Sequence, residues 1–337
     1  MIITKTPFRM SFFGGGTDIE TFFCKYGGSV LSTTIDKYCY VTVRHLPRFF
    51  DYTTELSYAK IERIKDTEEI KHPAIRNAMK MKNMHEIRLT YEADLPARSG
   101  LGTSSSFAVG MLNAFSALKG KYIDKRRLAN EAIYLERVMC NEAGGWQDQI
   151  AASFGGFNRI NFKTDKTYDV LPLVIHPDRK KALNNNLLMF FTGFTRFSSD
   201  TQKANAVGYA KKEAQLMDIM ALVDKAERIL TDESSDLDDF GRLLNKTWEL
   251  KRQTGSAITT REIDELYEKG MKAGALGGKL LGAGGGGFLV FYVQHRNQKM
   301  VIETFKDLLY VPFSFEDGGT RIIHYTPENY IPMKKKG

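Results

Sequence analysis

Four short segments gather the residues able to do chemistry. The most telling is Leu95-Pro96-Ala97-Arg98-Ser99-Gly100-Leu101-Gly102-Thr103-Ser104-Ser105-Ser106, which follows a strand pattern and leads into a helical one. Glycines let the backbone turn tightly and approach a ligand. A helix start rich in free N–H groups favours phosphate through its donors and its dipole. Four consecutive hydroxyl residues, Thr103 to Ser106, exceed what capping needs. One of them can also ligate a magnesium ion carried on the phosphates.

The second segment, Pro7-Phe8-Arg9-Met10-Ser11-Phe12-Phe13-Gly14-Gly15-Gly16-Thr17-Asp18, puts an arginine, three glycines and an aspartate in one turn. That combination suits a hydroxyl-rich or phosphorylated ligand, although Asp18 also fits an ordinary helix N-cap. The third, Glu142-Ala143-Gly144-Gly145-Trp146-Gln147-Asp148-Gln149, offers a carboxylate able to cap a helix or to orient a hydroxyl and accept its proton. Phosphoryl transfer needs little more than held phosphates, a cation and a group on the nucleophile. The fourth is Gly282-Ala283-Gly284-Gly285-Gly286-Gly287. It contains Gly-x-Gly-x-x-Gly, but a helical stretch is expected before it and the strand Phe288–Val293 after it. That order is the reverse of a dinucleotide fingerprint. Four adjacent glycines instead let a backbone pass close to a ligand.

Other phosphate chemistries are missing. Gly278-Lys279 is followed by Leu280, so no Gly-x-x-x-x-Gly-Lys-Ser/Thr loop exists. Neither a protein-kinase catalytic loop nor a His-Glu-x-x-His metal motif occurs.

The elements that must position these segments are legible in outline. Strand patterns cover Ile2 to Thr6, Val30 to Thr34, Tyr38 to Arg44 and Ile87 to Tyr91. Helical periods run from Phe107 to Leu118 and from Leu128 to Met139, where Leu128, Ile133, Leu135 and Val138 would share one apolar face. Phe157 to Phe162 alternates like a strand. After the polar segment 164–186, Leu187 to Phe191 reads as a buried strand. Helical stretches are expected at about Ser199–Leu230, Leu237–Gln253 and Thr260–Ala273, then strands at Phe288–Val293 and Arg321–Tyr325. This order predicts an α+β protein of two lobes, divided into domains 1–175 and 176–337.

Composition sets the limits. The 337 residues supply a sizeable core and no membrane-span-length apolar run. The N-terminus lacks a signal pattern. Cys24, Cys39 and Cys140 form no Cys-x-x-Cys pair, which fits a reducing cytoplasm. The 48 basic against 40 acidic residues leave a formal charge of +8, scattered apart from Lys334-Lys335-Lys336. No stretch interleaves aromatic with basic residues, so phosphorylated metabolites are better partners than nucleic acid. Neither nucleic acid nor membrane is expected as a partner.

Taken in this order, the segments resemble the three motifs of the GHMP kinases, the family of galactokinase, homoserine kinase and mevalonate kinase. The resemblance implies a first lobe like the second domain of ribosomal protein S5, a ferredoxin-like second lobe, and ATP with Mg2+ bound where they meet. By resemblance Pro96, Ser99, Gly100, Leu101, Gly102, Thr103, Ser104 and Ser105 contact ATP. Ser104 and Glu136 hold the magnesium. Asp148 is the base, and Arg9 contacts it and the reacting hydroxyl. Ser11, Gly15, Gly16, Thr17 and Asp18 line the substrate side with Gly285 and Gly286. The spacing from Glu136 to Asp148 is slightly longer than in mevalonate kinases.

Within the family, Phe12–Asp18, Leu31-Ser32-Thr33-Thr34-Ile35-Asp36-Lys37-Tyr38 and Gln147–Ala152 followed by Phe154-Gly155-Gly156-Phe157 resemble bacterial D-glycero-D-manno-heptose 7-phosphate kinases. That implies transfer to the anomeric hydroxyl of a sugar already phosphorylated, giving a 1,7-bisphosphate for nucleotide-heptose and surface polysaccharide synthesis. Arg196 is then a candidate for the phosphate at the far end. Two other readings stay open: a 1-kinase for a plain fucose- or galactose-type sugar, and a non-catalytic sugar sensor on the same fold.

Overall fold

The computed structural model describes residues 1–97, 99–193, 213–255, 257–282 and 284–327. The chain opens with β1 (Ile2–Phe13), α1 (Glu20–Tyr26) and β2 (Gly28–His45), an 18-residue strand where the sequence suggested two. Next come β3 (Thr54–Ser57), β4 (Ile61–Ile64), α2 (Pro73–Lys82) and β5 (Ile87–Ala93). Then follow α3 (Thr103–Leu118), α4 (Lys125–Ile133), α5 (Gln147–Phe154), β6 (Asn158–Phe162) and β7 (Tyr168–Pro172). The second half holds α6 (Pro177–Asn185), β8 (Leu187–Phe191), α7 (Glu213–Thr231), α8 (Asp238–Arg252) and α9 (Arg261–Lys272). It ends with β9 (Ala275–Leu280), β10 (Phe288–Val293), α10 (Gln298–Thr304), β11 (Leu309–Tyr310), β12 (Phe315–Glu316) and β13 (Arg321–Tyr325).

Two sheets organise these elements. The larger has the path β13-β1-β2-β5-β3-β4, with β6 and β12 also pairing β2 and β7 pairing β6. The smaller runs β11-β8-β10-β9, antiparallel throughout. The pairing of β12 and β13 with β2 and β1 differs from the sequence expectation that 176–337 form one lobe. The chain returns to the first sheet at its end, because the open edge of β1 accepts a strand. Nothing in the local pattern of Arg321–Tyr325 reveals which edge it joins.

Helix α3 has 14 buried residues out of 16, and it lies between β1, β2, α4 and α5. A helix apolar on all sides is a core element. That fixes its N-terminus rigidly at the phosphate-loop candidate. The two lobes share a second core. Phe8, Met10, Phe12 and Phe13 of β1 are buried with Met189, Phe240, Leu244, Val290 and Tyr292. Phe12 meets the edge of Phe240 at 5.3 Å and stacks on Phe157 at 5.7 Å between centroids. Such aromatic packing locks β1 against the second half of the chain.

Two further departures have local causes. The helix expected from Leu128 to Met139 changes at Tyr134 into a π-helical turn, Tyr134–Met139. The wider turn rotates the register, leaving Leu135 and Glu136 buried and Val138 60% exposed. π-bulges of this kind occur often at functional sites. The glycine run 282–287 sits in a hairpin, with strand β9 before it rather than a helix. The sequence Ala275-Leu276-Gly277-Gly278 hides that strand, since glycine weakens a strand pattern. Glycine is needed at Gly277, where a methyl group would lie 1.9 Å from the Gly241 carbonyl oxygen of α8.

Candidate active site

The site forms where β1, the N-terminus of α3, the N-terminus of α5 and the hairpin glycines Gly282 and Gly284 to Gly287 converge. Arg9 is a buried residue in the middle of β1. The β1–β2 register shifts between Pro7 and Phe8, where Asp36 and Lys37 are extra on β2. Bulges commonly re-aim a side chain beside a site. The Arg9 guanidinium grips both oxygens of Asp148, Nε to Oδ1 at 2.8 Å and Nη2 to Oδ2 at 2.9 Å. Its Nη1 donates to the Gly100 carbonyl at 2.6 Å, while the Arg9 backbone N–H donates to Leu101 O at 3.1 Å. A paired arginine fork of this type holds a carboxylate in a defined plane. Asp148 stands in the first turn of α5 with its side chain 23% exposed, so it remains open to a ligand.

The phosphate-loop candidate lies directly against this pair. Gly102 has φ +71°, and a methyl group there would lie 3.1 Å from Arg9 Cγ and 3.4 Å from Asp148 Oδ2. Gly100 and Gly282 face each other backbone to backbone. A methyl on Gly100 would meet Leu281 O at 2.2 Å, and one on Gly282 would meet the Gly100 Cα at 2.4 Å. Two glycine loops thus stack so closely that neither tolerates a side chain. Ser99 is buried with no partner for Oγ among the described residues, Leu101 and Thr103 are buried, and Pro96 and Ser104 are exposed. Ser104 sits in the first turn of α3, facing outward.

Glu136 is almost wholly buried on the π-helical turn. The hydroxyl that reaches it belongs to Ser105, whose Oγ donates to Oε2 at 2.8 Å. Gln149 donates to the same oxygen, and Arg137 lies 3.4 Å away. Burial pushes the Glu136 carboxyl up to about 6, with the Arg137 charge opposing the shift. Its Oε1 has no hydrogen-bond partner among the described residues. A buried carboxylate oxygen left unmatched, on a residue bonded by Ser105 and so by the neighbour of exposed Ser104, suits a hard cation with oxygen ligands. Among the described residues no cluster of three His, Cys, Asp or Glu gathers elsewhere to hold a metal.

Asp18 joins the first and third segments. It is buried and accepts N–H bonds from Gly16 at 3.0 Å and Gln147 at 3.3 Å. Gly145 allows this approach, since a methyl there would lie 1.8 Å from Asp18 Oδ2. Burial, then the nearby Asp148 charge, raises the Asp18 pKa. Thr17, expected on the substrate side, is turned inward. Its hydroxyl donates to Gly14 O at 2.8 Å and Ser29 O at 3.0 Å, which fixes the tight turn against β2. Ser11 is buried with an unpartnered Oγ, Gly15 and Gly16 are buried beside it, and Gly285 and Gly286 are buried in the hairpin loop. Arg196 lies outside the described residues.

Two lysines escape a reading of local motifs. Lys251 and Lys279 are 6% and 2% exposed at the junction of the lobes. Lys251 continues the buried stripe Leu244, Thr247 and Trp248 of α8, so a charge on an apolar face was its signal. Lys279 crosses from β9 to donate to Ser11 O at 2.8 Å and Phe12 O at 2.9 Å.

A buried helix start stacked on a second glycine loop, with a clamped carboxylate beside it, has the parts that phosphoryl transfer needs. The chain belongs to the GHMP kinase family: its N-terminal domain model matches residues 69–156 and its C-terminal domain model residues 223–307. The protein is therefore a kinase that uses ATP and an alcohol acceptor, on the two-domain GHMP fold. It is 32% identical to the D-glycero-alpha-D-manno-heptose 7-phosphate kinase of Campylobacter jejuni over 95% of this chain and 98% of that one. The crystal structure of a D-glycero-D-manno-heptose 1-phosphate kinase from Bacteroides thetaiotaomicron superposes with a TM-score of 0.78 and 25% identity, over 96% of this chain and 99% of that one. The Lactococcus lactis galactokinase shares the fold, with a TM-score of 0.70 at 17% identity over 95% and 94% of the two chains. Among the described residues no helix is long and apolar enough to cross a membrane.

Proposed function

We propose that this sugar kinase transfers the γ-phosphoryl group of ATP to the anomeric hydroxyl of D-glycero-D-manno-heptose 7-phosphate. The observation carrying the reading is the contact of the Arg9–Asp148 pair with the phosphate loop at Gly100 and Gly102. A base that touches the phosphate loop can hold a hydroxyl in line with the γ-phosphorus. The hydroxyl oxygen forms the new P–O bond, its proton passes to Asp148, and the bond to ADP breaks. Arg9 keeps the carboxylate aimed throughout. Ser104 and Glu136 are the residues that would hold Mg2+, which neutralises charge on the phosphates. Ser105 and Gln149 orient Glu136 for that task.

The full-length similarity to a heptose 7-phosphate kinase supports this substrate, since the fucokinase of Bacteroides fragilis matches only 60% of this chain. The structural relative's name places a phosphate on carbon 1 instead, so both ends of the sugar belong in the test. The product would supply nucleotide-heptose synthesis for a surface polysaccharide.

The experiment compares heptose 7-phosphate, heptose 1-phosphate, free heptose, fucose and galactose as acceptors, with products identified by phosphorus NMR. Heptose 7-phosphate should give the highest kcat/KM and a 1,7-bisphosphate. A higher value for an unphosphorylated sugar would replace the reading with a plain 1-kinase, and a preference for the 1-phosphate would reverse the direction of transfer. With the preferred sugar, Asp148→Asn should lower kcat about 10²- to 10⁴-fold while ATP still binds. Near-parental turnover in the folded variant rejects Asp148 as the base.

A further inference from the structure

Lys251 enters the site from α8, in the second half of the chain, and its Nζ donates to the Gly282 carbonyl at 2.8 Å. Gly282 is the residue stacked on Gly100 of the phosphate loop. No other hydrogen bond and no ion pair ties Nζ to the described residues, although an ammonium has three donors. A methyl group placed on Gly15 would lie 3.8 Å from Lys251 Nζ and 3.9 Å from Ser11 Oγ. Two buried polar groups therefore converge on the face of Gly15, one with spare donors and one with no partner among the described residues.

The surrounding charges are unusual for a protein interior. Arg9, Lys251 and Lys279 come together against two carboxylates, Asp18 and Asp148. Arg9 is committed to Asp148, Asp18 to backbone N–H groups, and Lys279 to two carbonyls. Lys251 Nζ makes a single hydrogen bond to the described residues where Lys279 Nζ makes two, so it keeps the larger share of its donors free. Leaving a buried ammonium incompletely hydrogen-bonded is unfavourable. Desolvation first, then the Arg9 charge, depresses its pKa to about 8, with Asp18 and Asp148 opposing.

We infer that Lys251, assisted by Ser11, binds the oxygens of a phosphoryl group at the Gly15 face of the site. This rests on the sugar kinase reading above. Two phosphoryl groups can occupy that place: the one in transfer, or the one the sugar already carries. Lys251 bonds the glycine loop stacked on Gly100 and shares its surroundings with the charges of Arg9 and Asp148, which puts it beside the atoms that either group would meet.

Lys251→Met keeps the length of the side chain and removes the charge, and Lys251→Gln keeps a donor for Gly282 O. Both are measured with the sugar the parent enzyme uses best, and with its unphosphorylated or phosphorylated counterpart. If Lys251 serves the group in transfer, kcat falls about 10- to 100-fold with every accepted sugar, and KM for the sugar changes little. If it serves the sugar's own phosphate, KM for the phosphorylated sugar rises by a similar factor and the unphosphorylated sugar is unaffected. Lys251→Arg should recover part of either loss. A folded Lys251→Gln or Lys251→Met enzyme with kcat and sugar KM within about twofold of the parent overturns the inference. A parent that prefers an unphosphorylated sugar would refute the heptose 7-phosphate reading, while the kcat comparison would still decide the role of Lys251.

Discussion

At Glu136 a carboxyl group is held in the interior by Ser105 and Gln149 with one oxygen unmatched. Its pKa rises from 4.5 to about 6, chiefly through burial. The folded state therefore binds this proton more tightly than the unfolded chain does. Below pH 4.5 the group is protonated in both states and carries no penalty. As pH rises from 4.5 through 6, the charge must be carried in the interior and stability falls, by about 2 kcal/mol in full and about 1 kcal/mol between pH 5 and 7. In metal-free buffer, Glu136→Gln should flatten the decline of the urea midpoint over that pH window. Asp18, raised in the same direction, keeps a residual slope. Parallel pH profiles for the parent and the variant would show that Glu136 does not titrate as described.

The glycine loops work as a pair of elements. Gly100 adopts φ +85°, and its missing side chain is also what lets the hairpin loop at Leu281 and Gly282 lie against it. Gly120, at the end of α3, has φ +65°, but a methyl group there would have nothing within 4 Å. Gly120→Ala should therefore lose only the left-handed backbone preference, about 1 kcal/mol. Gly100→Ala must in addition separate the two loops. It should cost more than twice as much and raise the KM for ATP at least several-fold, whereas Gly120→Ala leaves that KM unchanged. Equal unfolding midpoints for the two variants would mean that the loops do not need the close approach.

At the scale of the molecule, the end of the chain braces the beginning. β13 pairs β1, and β12 pairs β2. Tyr38 and Arg321 donate to Glu316, and Thr34 Oγ1 donates to Glu316 O at 2.7 Å. Gly155, just after α5, lies where a methyl group would be 1.9 Å from the Gly318 carbonyl carbon. The same turn that seats α5, and with it Asp148, thus rests on residues 316–319. A chain ending at residue 314 should unfold several degrees lower and turn over more slowly, although it retains all the residues assigned to the reaction. An unfolding temperature within about 1 °C of the parent, with unchanged kcat, would deny the C-terminal strands this role.

The sequence alone determined the parts whose signal is local. Phosphate-loop glycines before a buried helix, alternating strands, and a carboxylate beside paired glycines are all written within a dozen residues, because turn geometry and helix starts depend on near neighbours. It also carried the order of motifs that identifies the family. Only the tertiary structure decided which of these groups meet. Arg9 and Asp148 are 139 positions apart, and Ser105 rather than Ser104 is the hydroxyl on Glu136. The return of Arg321–Tyr325 to the first sheet, the strand hidden in Ala275–Leu280 and the site-facing Lys251 were likewise settled there. The physical reason is common to them all. Periodicity reports that a face is buried but not what buries it, and a lysine on an apolar face acquires its meaning from the charges that folding brings around it.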